Sequence, residues 1–131
     1  MAGINVVLAD DQPLSLIGMR TAIADQGDIR ILGECQNRMC LAEAVRRKHP
    51  DVLLVNARLL HDEFGTLKHL VSQNEKTHII VITSHNDRGF LDGALRCGAK
   101  GVIHTGCSVE KIPSAIRKVT SGGVWRERVA A

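Results

Sequence analysis

Five short runs decide what this chain can fold into: Ile4–Ala9, Ile29–Gly33, Val52–Val55, Ile79–Thr83 and Gly101–His104. They are apolar at nearly every position rather than at alternate ones. That is the pattern of strands covered on both faces, as in a parallel sheet with helices above and below. Stretches of helical length separate them. Pro13 suits a first helical turn and leads a segment to about Gln26, and Arg38 to Lys48 carries Met39, Leu41, Ala42, Ala44 and Val45 before Pro50 stops it. Phe64 to Asn74 and Asp87 to Cys97 follow, the latter with Gly98 as a C-terminal cap. Ser108 to Ser121 sets Val109, Ile112, Ile116 and Val119 on one stripe, with Gly122-Gly123 as the stop.

Strand and helix alternate five times, and right-handed crossovers with two-sided burial then give an α/β, doubly wound, five-stranded parallel sheet with helices on both faces. The expected division is one domain over residues 1–123 and a linker or tail over 124–131. At 131 residues, 44% of them hydrophobic, the chain can bury one core. No apolar stretch reaches the ~20 residues that cross a bilayer, and the N-terminus lacks a signal-peptide pattern. The expected location is cytoplasmic. The net charge of +3 is scattered, and its densest cluster, Arg46-Arg47-Lys48, reads as a solvated helix end favoured by the macrodipole. Cys35, Cys40, Cys97 and Cys107 show no C-x-x-C spacing and read as packing thiols. With only Phe64, Phe90 and Trp125 as aromatics, base stacking on single-stranded nucleic acid has almost nothing to work with.

In sheets of this kind, ligands gather at the carboxyl ends of the strands. Asp10 and Asp11 follow the first run, Asn56 ends the third, Thr83-Ser84 end the fourth and Thr105 follows the fifth. Two readings of the acidic pair stand level: a cap on the following helix, whose free amides favour negative charge, and weak residual metal binding. Thr83 reads as a strand-end hydroxyl that satisfies local backbone. His85 and His104 lie near the same edge, but no pair of histidines on one element has ligand spacing.

Several stretches resemble the receiver domains of response regulators, in the NarL/LuxR branch. Asp10-Asp11-Gln12-Pro13 with Gly18 and Arg20 is similar to its "DD-x-P-x4-G-x-R" opening, and Pro50 to Arg58 is similar to "PDVVLLDLR". Ile80 to His85 resembles "VIVLTAH", and Ala94 to Gly101 resembles "ALRAGAKG". The likeness runs from about Ile4 to Gly123 in order and spacing. It implies strand order 2-1-3-4-5. It also implies an edge where paired acids and an acceptor aspartate bind magnesium, the aspartate takes a phosphoryl group, a lysine contacts that group and a Thr/Ser follows it.

Carried over by position, Asp10 and Asp11 fill the acidic pair and Thr83 the hydroxyl. Asn56 stands at the acceptor, Thr105 at the lysine, Val102 at the switching aromatic and Leu60 at a proline, and the loop through His61-Asp62-Glu63-Phe64-Gly65 is one residue longer. An acyl phosphate requires a carboxylate nucleophile, and without the lysine its charge loses electrostatic support. Magnesium prefers anionic oxygens, so the expectation is no cofactor and at best weak Mg2+ binding by Asp11 and Asp10.

The expected function is that of a pseudo-receiver in a transcriptional regulator. It is not an enzyme, and it acts through a protein partner or a homodimer independently of aspartyl phosphorylation. DNA contact would come only through a helix-turn-helix domain outside these residues, with no membrane partner. The chain stops at Ala131, just inside the expected linker, so a fragment of a longer regulator is expected. By analogy, the interaction surface is placed on Lys111, Ser114, Arg117 and Lys118. Three alternatives stay open: a sensor of a small ligand or metal ion in the emptied pocket, a stand-alone adaptor, and an active receiver with Ser84 or Thr105 as acceptor.

Overall fold

The computed structural model describes residues 3–60, 64–84, 88–106 and 109–126. Six strands and five helices alternate: β1 (Ile4–Ala9), α1 (Pro13–Ala24), β2 (Ile29–Cys35), α2 (Met39–Lys48), β3 (Val52–Asn56), α3 (Gly65–Gln73), β4 (His78–Thr83), α4 (Arg88–Arg96), β5 (Gly101–His104), α5 (Lys111–Thr120) and β6 (Trp125–Arg126). All pairings are parallel, in the order β2-β1-β3-β4-β5-β6. The five expected strands are present in their expected order. A sixth adds Trp125 and Arg126, two residues that the sequence placed in a tail. Trp125 donates its amide to Lys100 O at 2.8 Å, and Arg126 forms an ion pair with Asp92 on α4. Residues 127–131 lie outside the described residues, as do Cys107 and His61, Asp62 and Glu63, where a longer loop was expected.

Two apolar layers sandwich the sheet. Val7, Ala9, Leu53, Val55, Ile79, Val81 and Val102 face α2, α3 and α4, whereas Val6, Leu8, Val52, Leu54, Ile80, Ile82 and Ile103 face α1 and α5. The alternation along each strand explains why the runs are continuously apolar: both faces are core. Each fully buried aliphatic side chain contributes about 1.5–3 kcal/mol, which makes the central strands a rigid platform for whatever sits at their tips.

Helix ends follow local chemistry. Gly98 closes the α4 segment at φ +110°, where a Cβ would meet Val71 Cγ1 at 2.8 Å, so both backbone and space call for glycine. The basic residues Arg46, Arg47 and Lys48 occupy the last turn of α2, facing its negative dipole end. The stripe expected on α5 is corrected at one position: Ile112, Ile116 and Val119 are buried, but Val109 precedes the helix and is 60% exposed. Helix α5 starts at Lys111, and the turn before it carries Val109 to the rim of the sheet edge.

Candidate functional site

The register of β1 on β3 pairs Ala9 with Val55 and so brings Asp10 beside Asn56 at the carboxyl edge. Both are buried, Asp10 at 0% exposure and Asn56 at 3%. Each does the same local work. Asp10 Oδ1 accepts the Gln12 amide at 2.9 Å, and Asn56 Oδ1 accepts the Arg58 amide at 2.9 Å. Both are side-chain-to-backbone turns of the kind short Asx side chains form when a strand ends. The acidic pair therefore does not cap α1 directly. Gln12 sits at the cap position without a side-chain cap bond, and Asp10 shapes the turn that precedes it.

A short 3₁₀ turn, Ala57–Leu60, follows β3 and carries Arg58 back over β1. Its Nη2 donates to Asp10 Oδ1 at 2.6 Å and its Nε donates to Asp11 Oδ1 at 2.8 Å. One planar guanidinium thus bridges two carboxylates, a geometry that a lysine ammonium cannot reproduce. Hydrogen bonding to Arg58 holds the Asp11 carboxyl below its usual range, and the same contacts raise the Arg58 guanidinium. Two carboxylates and one guanidinium leave one net negative charge. Asp10 Oδ2 is buried and has no hydrogen-bond partner among the described residues.

The rest of the edge is quieter. Thr83 is buried at the end of β4, and its carbonyl accepts the Thr105 amide at 2.8 Å, so these two predicted residues do meet, through backbone. Thr105 itself is exposed. The His104 ring is fixed in place: Nδ1 accepts the Gly106 amide at 3.0 Å, which leaves Nε2 to donate to the Ser84 carbonyl at 3.1 Å. Val102 is buried in the layer under α4, and Leu60 packs in the same core. His85 lies outside the described residues. Burial pushes up the Cys35 thiol, whose Sγ donates to Cys40 O at 3.4 Å, in keeping with a packing role.

The sequence grouped Asp10, Asp11, Asn56, Thr83 and Thr105, and the fold gathers them at one edge. What sequence reasoning missed is Arg58, which it quoted only as part of a motif. Charge accounting offered the signal. Two adjacent acids with neither a third carboxylate nor a lysine at position 105 need some cation, and Arg58 is two residues from Asn56. Asp10 Oδ1, Asp11 Oδ1 and Asn56 Oδ1 already accept hydrogen bonds from Arg58, so a magnesium ion at this edge would share the two carboxylates with the positive charge of the guanidinium. Among the described residues, no cluster of three or more His, Cys, Asp or Glu could hold a metal ion.

The model of the response regulator receiver domain matches residues 6–117. The chain belongs to that family. This receiver is 28% identical over 130 residues to the transcriptional regulatory protein YxjL of Bacillus subtilis, covering 98% of the chain and 60% of that protein. It is 31% identical over 96 residues to YhcZ of the same organism, covering 72% of the chain and 45% of that protein. The oxygen regulatory protein NreC of Staphylococcus carnosus is 27% identical over 122 residues, with 92% and 56% covered. The receiver thus spans about half the length of these curated relatives. Its fold superposes on the receiver domain of NarL from Mycobacterium tuberculosis with a TM-score of 0.86 at 24% identity, covering 93% and 99% of the two chains. On the apo receiver domain of RcsB from Salmonella enterica serovar Typhimurium the TM-score is 0.90 at 21% identity, covering 97% and 95%.

The four α5 residues taken as an interaction surface are all exposed. Arg117 is committed within the chain: its Nε and Nη2 donate to the Asp28 carboxylate at 2.9 and 2.8 Å, and Nη2 also donates to Gln26 Oε1. Ser114 Oγ donates to the Glu110 carbonyl. Leu14 and Ile17 on α1 are exposed apolar side chains that the sequence did not single out. No helix among the described residues is long and apolar enough to cross a membrane.

Proposed function

We propose that this receiver is a regulatory interaction module of a NarL/LuxR-type transcriptional regulator, working without aspartyl phosphorylation, with the Arg58 side chain as the resident cation of its edge. The observation that carries the reading is the guanidinium held between Asp10 and Asp11 beside an amide at Asn56. An active edge would need a carboxylate at that position to form the acyl phosphate and a fixed positive charge to support it. Asn56 supplies neither charge nor nucleophile, and Thr105 supplies no charge. Arg58 gives the acidic pair a permanent partner that needs neither metal uptake nor a phosphoryl donor. The edge is then held in one state by its own side chains.

In this reading the chain has no catalytic role and no cofactor, and it works in the cytoplasm by pairing with a second copy or a protein partner. The exposed apolar residues Leu14 and Ile17 on α1, with Lys111, Ser114 and Lys118 on α5, are the surface on offer. DNA recognition belongs to a separate domain, consistent with longer relatives named as transcriptional regulators, of which the matched stretches cover 60% and 45%.

Intact-mass analysis after incubation with acetyl phosphate and magnesium tests the reading. The wild-type mass stays unchanged, while an Arg58→Ala/Asn56→Asp/Thr105→Lys variant, with acceptor and lysine supplied and the acidic pair freed for magnesium, gains a phosphoryl group. A stoichiometric phosphoryl adduct on the wild type would overturn it.

A further inference from the structure

At the tip of β2, two thiols meet across the turn into α2. Cys35 closes the strand and is buried at 3% exposure, and Cys40, in the first turn of the helix, is half-buried. Only Gln36, Asn37, Arg38 and Met39 separate them in the chain. Cys35 Sγ donates to the carbonyl of Cys40 itself at 3.4 Å, and Cys40 Sγ donates to the Asn37 carbonyl at 3.3 Å. Thiols are weak donors, so either side chain leaves its bond at small cost. Burial, and after it hydrogen bonding with the Cys40 thiol, push the Cys35 thiol up to about 12.

Both cysteines line a surface cleft of about 370 Å³ between β2 and α2. Glu34 and Glu43 share its walls with Arg47 and Lys48, so the charges balance and neither sign of ligand is favoured. A small neutral oxidant therefore has access to Cys40, whereas Cys35 stays protonated and covered and does not react first. The backbone of Cys35 is tied to the arginine clasp. Ala9 of β1 lies beside Cys35, and the Asp10 amide donates to the Cys35 carbonyl at 3.0 Å. Asp10 is the buried acid that Arg58 holds at 2.6 Å.

We infer that Cys35 and Cys40 form a reversible redox pair, oxidised to a disulfide by hydrogen peroxide, and that closing this bond is felt at the β1–β2 corner that seats Asp10. The Cys40 sulfur attacks one peroxide oxygen and the O–O bond breaks. The departing hydroxide takes up the thiol proton as water and leaves a sulfenic acid on Cys40. The Cys35 sulfur then attacks the Cys40 sulfur, and its proton leaves with the sulfenic hydroxyl as a second water. Two thiols lose two electrons and one peroxide gains them. A ring closed across four residues removes little chain entropy, so the bond adds little stability. That suits a labile sensor rather than a structural staple, as disulfides in reducing compartments usually are. The inference does not rest on the phosphorylation-independent reading.

Peptide mapping of the wild-type chain after hydrogen peroxide treatment and alkylation tests it. Trypsin cuts after Arg38, so the peptides carrying Cys35 and Cys40 stay joined only through their sulfurs. The joined pair should replace the two alkylated peptides, the intact mass should fall by two hydrogens, and dithiothreitol should restore both. In the NMR spectrum the Asp10 amide should shift with formation of the link and return on reduction. Cys40→Ser keeps a hydroxyl donor toward the Asn37 carbonyl and should leave Cys35 fully alkylatable after the same treatment. Cys35→Ala should leave Cys40 as a sulfenic acid that dimedone traps. Oxidation of Cys40 to sulfinic acid with Cys35 still free, a link from either thiol to Cys97 or Cys107 instead, or an unmoved Asp10 amide overturns the inference. Oxidation of Cys35 in folded Cys40→Ser overturns it equally.

Discussion

Two arginines grip aspartate at opposite ends of the sheet. At the amino end, Arg117 on α5 forks onto the single carboxylate of Asp28, whose side chain is 39% exposed. At the carboxyl end, Arg58 forks across two carboxylates, one of which is wholly buried. The bonds are of similar length and the donor is the same, yet the consequences differ. Water can replace Arg117 around Asp28 at little cost, as for most surface pairs. Nothing equivalent is available to Asp10, where loss of the cation strands a charge in the interior. The contrast shows that a buried acid at a strand tip has to be matched by a dedicated cation, and that in this chain the match is built into the polypeptide.

Breaking the buried grip is the largest expected perturbation. Arg58→Ala should lower the unfolding free energy by about 1–3 kcal/mol, the usual penalty for an orphaned buried charge reduced because Arg58 itself is partly solvated. Chemical denaturation would read it as a shifted midpoint at unchanged slope. Arg58→Lys sharpens the point, since it keeps the charge but loses the planar fork. A loss of about 0.5–1.5 kcal/mol is expected, intermediate between wild type and alanine, and a lysine variant as stable as wild type would mean that charge alone suffices.

Acid titration separates the grips by residue. Arg58 lowers the Asp11 carboxyl and Arg117 lowers that of Asp28. A carboxyl whose folded value lies below its unfolded one contributes stability above the unfolded value and loses it as pH falls through the folded one. Both contributions are therefore complete at neutral pH and disappear below the ordinary carboxylate range. Carboxyl-detected NMR should find Asp11 returning toward its ordinary value in Arg58→Ala, with Asp28 unmoved. The smallest effect belongs to Arg117→Ala, which should melt within scatter of the wild type while returning Asp28 alone to its ordinary range.

The fold was legible because its signal is redundant. Five buried strands each announce themselves by continuous apolar sequence, and Pro13, Pro50 and Gly98 punctuate the helices between them. The sixth strand escaped because two residues carry no periodicity, and Trp125-Arg126 are held by Lys100 O and Asp92, partners distant in sequence. Val109 was misread because spacing alone cannot say where α5 begins. At the edge, residues at strand tips were found, since strand ends and sheet order bring them together. Arg58 was not, because its role depends on a 3₁₀ turn that redirects a side chain across two strands.

Magnesium titration followed by thermal melting, on wild type and Arg58→Ala in parallel, bears most directly on the claim that the chain supplies its own cation. Wild type should melt at the same temperature with and without magnesium. In Arg58→Ala the freed Asp10 and Asp11 oxygens should take the ion, so that magnesium restores part of the lost melting temperature. If magnesium instead raised the wild-type melting temperature as much as that of the variant, the guanidinium would not be standing in the ion's place and the account would be wrong.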